Sequence, residues 1–309
     1  MILAVCLNPA LDVTYSVSAL RPGTSHRVQA VRRRPGGKGV NVASVLTQQR
    51  VPALVTGPIG GSIGAELIAG LDDAGIAHRF SPIAAPTRQT VTIVSDDDAT
   101  VLNEPGPAVS DTEWEAFTAV FVDLLANAEL VTLSGSLPAG MQDDAYGQLV
   151  AICRQGDVPV ILDCDGPALT AALSAGPHIV KINEHEAATA TGIPTDSMQG
   201  VVAATEALRA EGATAAVVTR GTDGVVAVTP SGRYAAHPVE AVTGNPTGAG
   251  DAFTAGLAAS TAEGVGWPTR LRRASAWAAA AVAMPTAGLI DPRVATDHET
   301  RTTVEELHR

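Results

Sequence analysis

The chain has 309 residues, of which 46% are hydrophobic and 17% charged, which excludes a disordered chain and leaves room for one large α/β domain with an accessory piece or for two ordinary domains. A net charge of −12 argues against a general nucleic-acid binder. No stretch reaches the roughly 18 apolar residues that span a bilayer, "MILAVCLNP" lacks the basic flank of a secretory leader, and Cys6, Cys153 and Cys164 lack metal-type spacing, as expected of reduced thiols in a cytoplasm.

"ILAVCL" reads as a short buried strand. "DVTYSVSAL" and "SHRVQAVRR" alternate in polarity, as half-exposed strands do. Around the second lies a basic run of Arg21, Arg27, Arg32, Arg33, Arg34 and Lys38. It is either a solvated surface or a local attractor for an anionic ligand. Lys38 and Lys181 are the only lysines in a chain that otherwise uses arginine, and a compact ammonium is not interchangeable with a planar fork.

After "PGGKG", "VNVASVLTQQ" has helical apolar spacing. "ALVTGPIG" is a strand, and "GAELIAGLDDAG" a helix with a glycine stop. "QTVTIVSDDDATVLNEPG" reads as a hairpin around an acidic turn. From Ser110 onward helices and strands alternate. Asp111 or Ser110 caps the first of these helices, and the strands are "LVTLSG", "VPVILDC", "HIVKIN", "AAVVTRG" and "GVVAVTP". Two helices close the chain, from about Ala249 and from about Thr269.

This rhythm predicts an α/β fold: a doubly wound, mainly parallel sheet with helices on both faces and the ligand edge at the strand C-terminal ends. Residues 12–34 and 88–103 break the rhythm. They read as an antiparallel, half-exposed small sheet standing off a single domain of residues 1–309 as a lid. Apolar positions exposed on it, Val13, Tyr15, Val17 and Val91, would pair two lids in a homodimer.

"NPTGAGD" follows an extended segment and opens an apolar helix. Gly248 and Gly250 let backbone N–H groups approach a ligand at a helix start, where those groups lack partners and the dipole is positive. Such a turn binds phosphate oxygens or developing negative charge. Asp251, in the first turn, is either a helix cap or a general base beside that anion hole. The loop lacks the G-K-[ST] ending of a Walker A motif.

"LNPALD", "RPGGKGVNVA", "TRQT", "LNEPGP", "SGSLPAG", "LDCDG", "KINEHE", "TRGTDG" and "NPTGAGD" follow one another over nearly the whole chain. In that order and spacing they resemble the ribokinase-like, or PfkB, family of sugar kinases. The resemblance implies a ribokinase-like fold, a kinase using ATP and Mg²⁺, and Asp251 as catalytic base with the Gly248, Ala249 and Gly250 backbone as anion hole. It implies that Asp12, Arg27, Gly37, Lys38, Asn41, Arg88 and Ser136 bind the sugar. Asn183, Thr219, Gly221, Gly224, Thr247, Gly248 and Gly250 would face the nucleotide, and Glu186 would act on Mg²⁺ through water or phosphate. Two departures stand out: Ile182 where the family often has proline, and Arg220 where many relatives carry leucine.

Lys38, Arg88 and Arg27 would converge on one end of the pocket, where a phosphate already on the substrate would sit. The motifs resemble the branch of 1-phosphofructokinase and tagatose-6-phosphate kinase, so the expected acceptor is the free primary hydroxyl of tagatose 6-phosphate or fructose 1-phosphate. The alternatives are fructose 6-phosphate, an unphosphorylated sugar or nucleoside, and a non-catalytic sugar-binding regulator. No membrane or nucleic-acid partner is expected.

Overall fold

A computed structural model describes residues 1–95, 99–238 and 240–308. The expected acidic turn, Asp96 to Asp98, lies outside the described residues. In chain order the strands are β1 Ile2–Val5, β2 Ala10–Ser16, β3 Ala30–Gly36, β4 Ala53–Thr56, β5 Pro58–Ile59, β6 Ser81–Pro82, β7 Arg88–Val94, β8 Ala99–Asn103, β9 Leu130–Ser134, β10 Val160–Asp163, β11 Ile179–Asn183, β12 Ala215–Thr219, β13 Val225–Thr229, β14 Gly232–His237 and β15 Thr303–Glu306. The helices are α1 Lys38–Gln48, α2 Gly61–Asp73, α3 Asp111–Leu125, α4 Ala145–Gln155, α5 Gly166–Leu173, α6 Glu184–Thr191, α7 Met198–Ala210, α8 Ala249–Ala262, α9 Trp267–Val282 and α10 Pro292–Arg301.

Among the described residues the large sheet has nine strands, in the order β15-β14-β13-β12-β11-β10-β9-β1-β4. From β4 to β12 all neighbours are parallel; β13, β14 and β15 add antiparallel strands. Strand alternation feeds two cores. Ile2 and Ala4 face the layer of α1, α2, α8, α9 and α10, while Leu3 and Val5 face the layer of α3 to α7. The same alternation aims Asp163 and Lys181 at the α8 side, because Ile161 and Ile179 point there and Leu162, Val180 and Ile182 point away.

β1 has β4 on one side and β9 on the other, and the helices that follow β1 and β9 cover opposite faces. That is a topological switch point, the crevice where ligands bind in doubly wound sheets. β1 also runs on almost directly into β2, so the small sheet grows out of this crevice.

The small sheet has the order β3-β2-β7-β8. β7 and β8 fall within the second expected stretch, while β2 begins two residues before the first and β3 ends two residues after it; a further correction is that β2 and β7 pair in parallel, and only the outer pairs are antiparallel. The expected surface is corrected too. Val13 and Val17 are buried and Tyr15 and Val91 half-buried, because α2 packs across β2 and β3. The exposed apolar side chains are instead Val31, Val94, Val101 and Leu102. The chain ending also departs from expectation, since β14, α10 and β15 follow the strand expected to be last. A signal for α10 was present in the sequence: Asp291 caps the helix and Pro292 fills its first turn. Ser110, not Asp111, caps α3, in a reciprocal box with Glu113. No helix among the described residues is long and apolar enough to cross a membrane.

Candidate active site

α8 begins at Gly248, whose φ of 86° is left-handed and whose missing Cβ would lie 2.5 Å from the Ala287 side chain. Ala249, Gly250 and Asp251 form the first turn. The Asp251 side chain does not cap the helix. It is 6% exposed and accepts from Asn41 Nδ2 at 2.7 Å. Burial, with the nearby Asp163 carboxylate, pushes its pKa up to about 6. A carboxylate spared from capping and tuned towards neutrality suits a proton acceptor.

Directly beside it lies an ion cluster that no sequence motif announced. Asp163, 1% exposed at the end of β10, accepts from Lys181 Nζ at 2.9 Å, Lys38 Nζ at 3.1 Å and Thr254 Oγ1 at 2.9 Å. Burial disfavours its charge, but the two ammonium groups outweigh burial and hold its carboxyl well below the usual range. Asp163 in turn holds the Lys38 ammonium above its ordinary value. The only two lysines of the chain meet on one carboxylate. Lys181 lies under the glycine turn, since a Cβ on Gly250 would stand 3.0 Å from its Nζ. Lys38 keeps a side chain 38% exposed, and Asp251 and Glu186 also raise its pKa.

The other end of the crevice collects the expected sugar-side residues. Arg88 Nε donates to the Asn8 carbonyl at 3.2 Å, and Asn8 Nδ2 donates to Ser136 Oγ at 3.2 Å. Asp12 on β2 is neighboured by Arg34 and Arg88, while burial raises its pKa. Gly37 leads into α1, which presents Lys38 and Asn41 one turn apart. Arg27 is the exception. It is exposed in the connection before β3, not on a strand of the small sheet, and no contact ties it to the others.

On the opposite side, Asn183 and Glu186 form a reciprocal capping box at the start of α6, with bonds of 2.8 and 2.9 Å. Thr219 Oγ1 turns inward to the Ile182 carbonyl at 3.4 Å. Gly221 and Gly224 bracket a short 3₁₀ turn, and the Thr247 N–H is taken by Asn245 Oδ1 at 3.0 Å. Arg220 folds back towards Glu184, at 3.5 Å, and Asp223, at 3.9 Å. It braces the turn against α6 instead of reaching into solvent. Among the described residues no three metal-ligating side chains cluster. A lone carboxylate such as Glu186, whose charge reaches Lys38, nevertheless fits Mg²⁺, which takes one or two carboxylates and completes its shell with phosphates and water.

A family profile described as "pfkB family carbohydrate kinase" matches residues 3–292. The chain belongs to the pfkB family of carbohydrate kinases. It is thus a sugar kinase, a phosphotransferase with an alcohol acceptor. Among solved pfkB-type structures it is similar to a possible 1-phosphofructokinase from Thermotoga maritima, with 25% identity, TM-score 0.89 and 99% of each chain covered. It shares the fold of phosphofructokinase-2 from Escherichia coli in complex with fructose-6-phosphate, with 24% identity, TM-score 0.87 and 97% and 98% covered. It also shares the fold of Arabidopsis thaliana ribokinase complexed with ribose and ATP, with 23% identity, TM-score 0.78 and 96% and 98% covered. Within this pfkB member, sequence reasoning missed Asp163, Thr254 and the inward turn of Arg34. The scarcity of lysine was the one signal that pointed towards the Asp163 cluster.

Proposed function

We propose that the protein transfers the γ-phosphate of ATP to the free primary hydroxyl of a ketohexose phosphate, tagatose 6-phosphate or fructose 1-phosphate. The observation that carries this reading is the acceptor corner, where Arg88, Asn8 and Ser136 are linked beside Asp12. A guanidinium and a hydroxyl grouped there suit a phosphate already on the sugar.

Asp251 takes the proton of the attacking hydroxyl. The N–H groups of the Gly248–Asp251 turn face the transferring phosphoryl group. Lys181 and Lys38, anchored on Asp163, supply positive charge next to that turn. Lys38 stands between the transfer centre and the acceptor, and Asn41 orients the base. Thr219, Thr247, Gly221 and Gly224 line the nucleotide side with Asn183. Glu186 would help hold Mg²⁺ on the nucleotide side, where the ion would neutralise phosphate charge. The small sheet acts as a lid that excludes water from the transfer. Three buried free thiols suit a cytoplasmic enzyme.

An acceptor panel tests the reading: tagatose 6-phosphate, fructose 1-phosphate, fructose 6-phosphate, fructose, ribose and adenosine, with ATP consumption as readout. Phosphorylated ketohexoses should lead. Arg88→Ala should weaken only those acceptors, by roughly tenfold to a hundredfold. Lys38→Ala should weaken every acceptor. Ribose or adenosine leading, with Arg88→Ala harmless, would remove the sugar-phosphate assignment.

Two small sheets pairing through Val31 and Leu102, which share one face, would form a homodimer. Sedimentation should give a dimer at micromolar concentration, and Leu102→Asp should release monomers. A wild-type monomer at that concentration would rule the pairing out.

A further inference from the structure

Among the arginines of the basic run, Arg21, Arg27, Arg32 and Arg33 are exposed, and Arg34 alone turns inward. Its Nη2 donates to Asn41 Oδ1 at 2.8 Å, its Nε to the Pro35 carbonyl at 3.2 Å, and its Nη1 to the Ala287 carbonyl. Most of the fork is therefore spent on protein acceptors, which leaves Arg34 poorly suited to hold a ligand itself.

An amide side chain has a donor end and an acceptor end. Asn41 gives its oxygen to Arg34 and its nitrogen to Asp251. With the amide turned over, Oδ1 would face a carboxylate oxygen and Nδ2 a guanidinium, and both contacts would become repulsive. A second observation comes from the turn behind the pair. Gly288 has a φ of 72°, and a Cβ there would stand 2.7 Å from Arg34 Nη2 and 2.9 Å from Asn41 Oδ1. The turn is moulded around the pair. It is also fastened to α1, where Ser44 Oγ donates to the Gly288 carbonyl at 2.7 Å and Gln48 exchanges two bonds of 2.9 Å with Ile290. Ala287, which accepts from Arg34, is the residue against which Gly248 packs.

We propose that Arg34 is a positioning residue that couples the small sheet to the reacting centre by holding the Asn41 amide in the orientation that donates to Asp251. The inference rests on Asp251 being the base. The charged groups around Asp251 are Asp163 from β10, Lys38 from α1, Lys181 from β11 and Arg34 from β3. Donation from Asn41 favours the charged carboxylate, so its loss moves the Asp251 titration upward.

The test is the titration of Asp251 in the ligand-free protein, followed by NMR with isotope-labelled aspartate, with Asp251→Asn identifying the signal. Wild type should titrate near pH 6. Arg34→Ala and Asn41→Ala should each titrate about one unit higher, and the double variant no higher than either single one. Arg34→Lys keeps the charge and the long stem but cannot reach both acceptors. It should titrate with Arg34→Ala, and it carries the test if the alanine variant does not fold. In turnover, Arg34→Ala should lower kcat about tenfold with KM for ATP unchanged. A wild-type titration in Arg34→Ala, additive shifts in the double variant, or restoration by lysine would each overturn the inference. The titration needs no substrate. If it moves as described while no ketohexose phosphate is accepted, the acceptor assignment fails and the inference stands.

Discussion

The two ends of the crevice are built differently. At the transfer end, Asp163 and Lys181 are almost wholly buried, sit on core strands and are bound to each other, and Asp163 also accepts from Thr254. At the acceptor end, Arg88 and Asp12 stand on a half-exposed sheet, and the Arg88 bonds are of 3.2 to 3.3 Å to two carbonyls and a threonine hydroxyl. The chemistry rests on groups whose places are over-determined by packing. On the proposed function, recognition rests on groups carried by the half-exposed small sheet. A fold organised in this way can change its acceptor without disturbing its transfer machinery.

The sharpest test of the rigid end is its base. Asp251→Asn keeps size and removes the basic oxygen, so turnover should fall about 10²–10⁴-fold with ATP binding retained. Because the Asp251 pKa is raised to about 6, wild-type activity should decline as pH falls through 6, and the residual activity of the variant should not follow that decline. A folded variant with normal turnover would move the base elsewhere.

Asp163→Asn probes the same end through stability. The carboxyl is held below its unfolded value, so it contributes stability that is present above the ordinary carboxylate range and is lost as pH falls through the folded value. Removing one partner of a buried ion cluster costs about 3–5 kcal/mol. Thermal melts at pH 7 should show that loss, and the gap to wild type should narrow in acid. Arg88→Ala, at the half-exposed end, should leave the melting temperature nearly unchanged. Equal losses for both variants would erase the contrast between the two ends.

Much of the transfer end was legible in the sequence, because "NPTGAGD" puts the glycine turn and Asp251 in one short segment. Asp163 was not, since "LDCDG" reads as an ordinary strand end and its two lysine partners lie 125 and 18 residues away. Arg34 was one cation among six. Only its bonds to Asn41 and to a turn some 250 residues downstream distinguish it. The small sheet was legible as two inserted stretches, but its parallel central pairing, the start of β3 and its covered face were not, because local polarity gives alternation without saying which strands will pair or which side α2 will occupy. Pro35 marks that contact, since it packs against Gly70 of α2. The late strands β14 and β15 carry few apolar residues to signal burial, and β15 has only four residues.

The arginine run has one more consequence, and it concerns the boundaries of the sheets. β3 is one of the two outer strands of the small sheet, with Arg32 and Arg33 exposed along it and Pro35 near its end. β15 is one of the two outer strands of the large sheet, with Glu305 and Glu306 exposed. Outer strands are templates on which another chain can add, and charge or proline on them discourages it. Here the two boundaries carry opposite signs, so each repels its own copy on a neighbouring molecule. Replacing Arg32 and Arg33 together with threonine should therefore show first as lower solubility in a concentration series, with turnover per folded molecule unchanged.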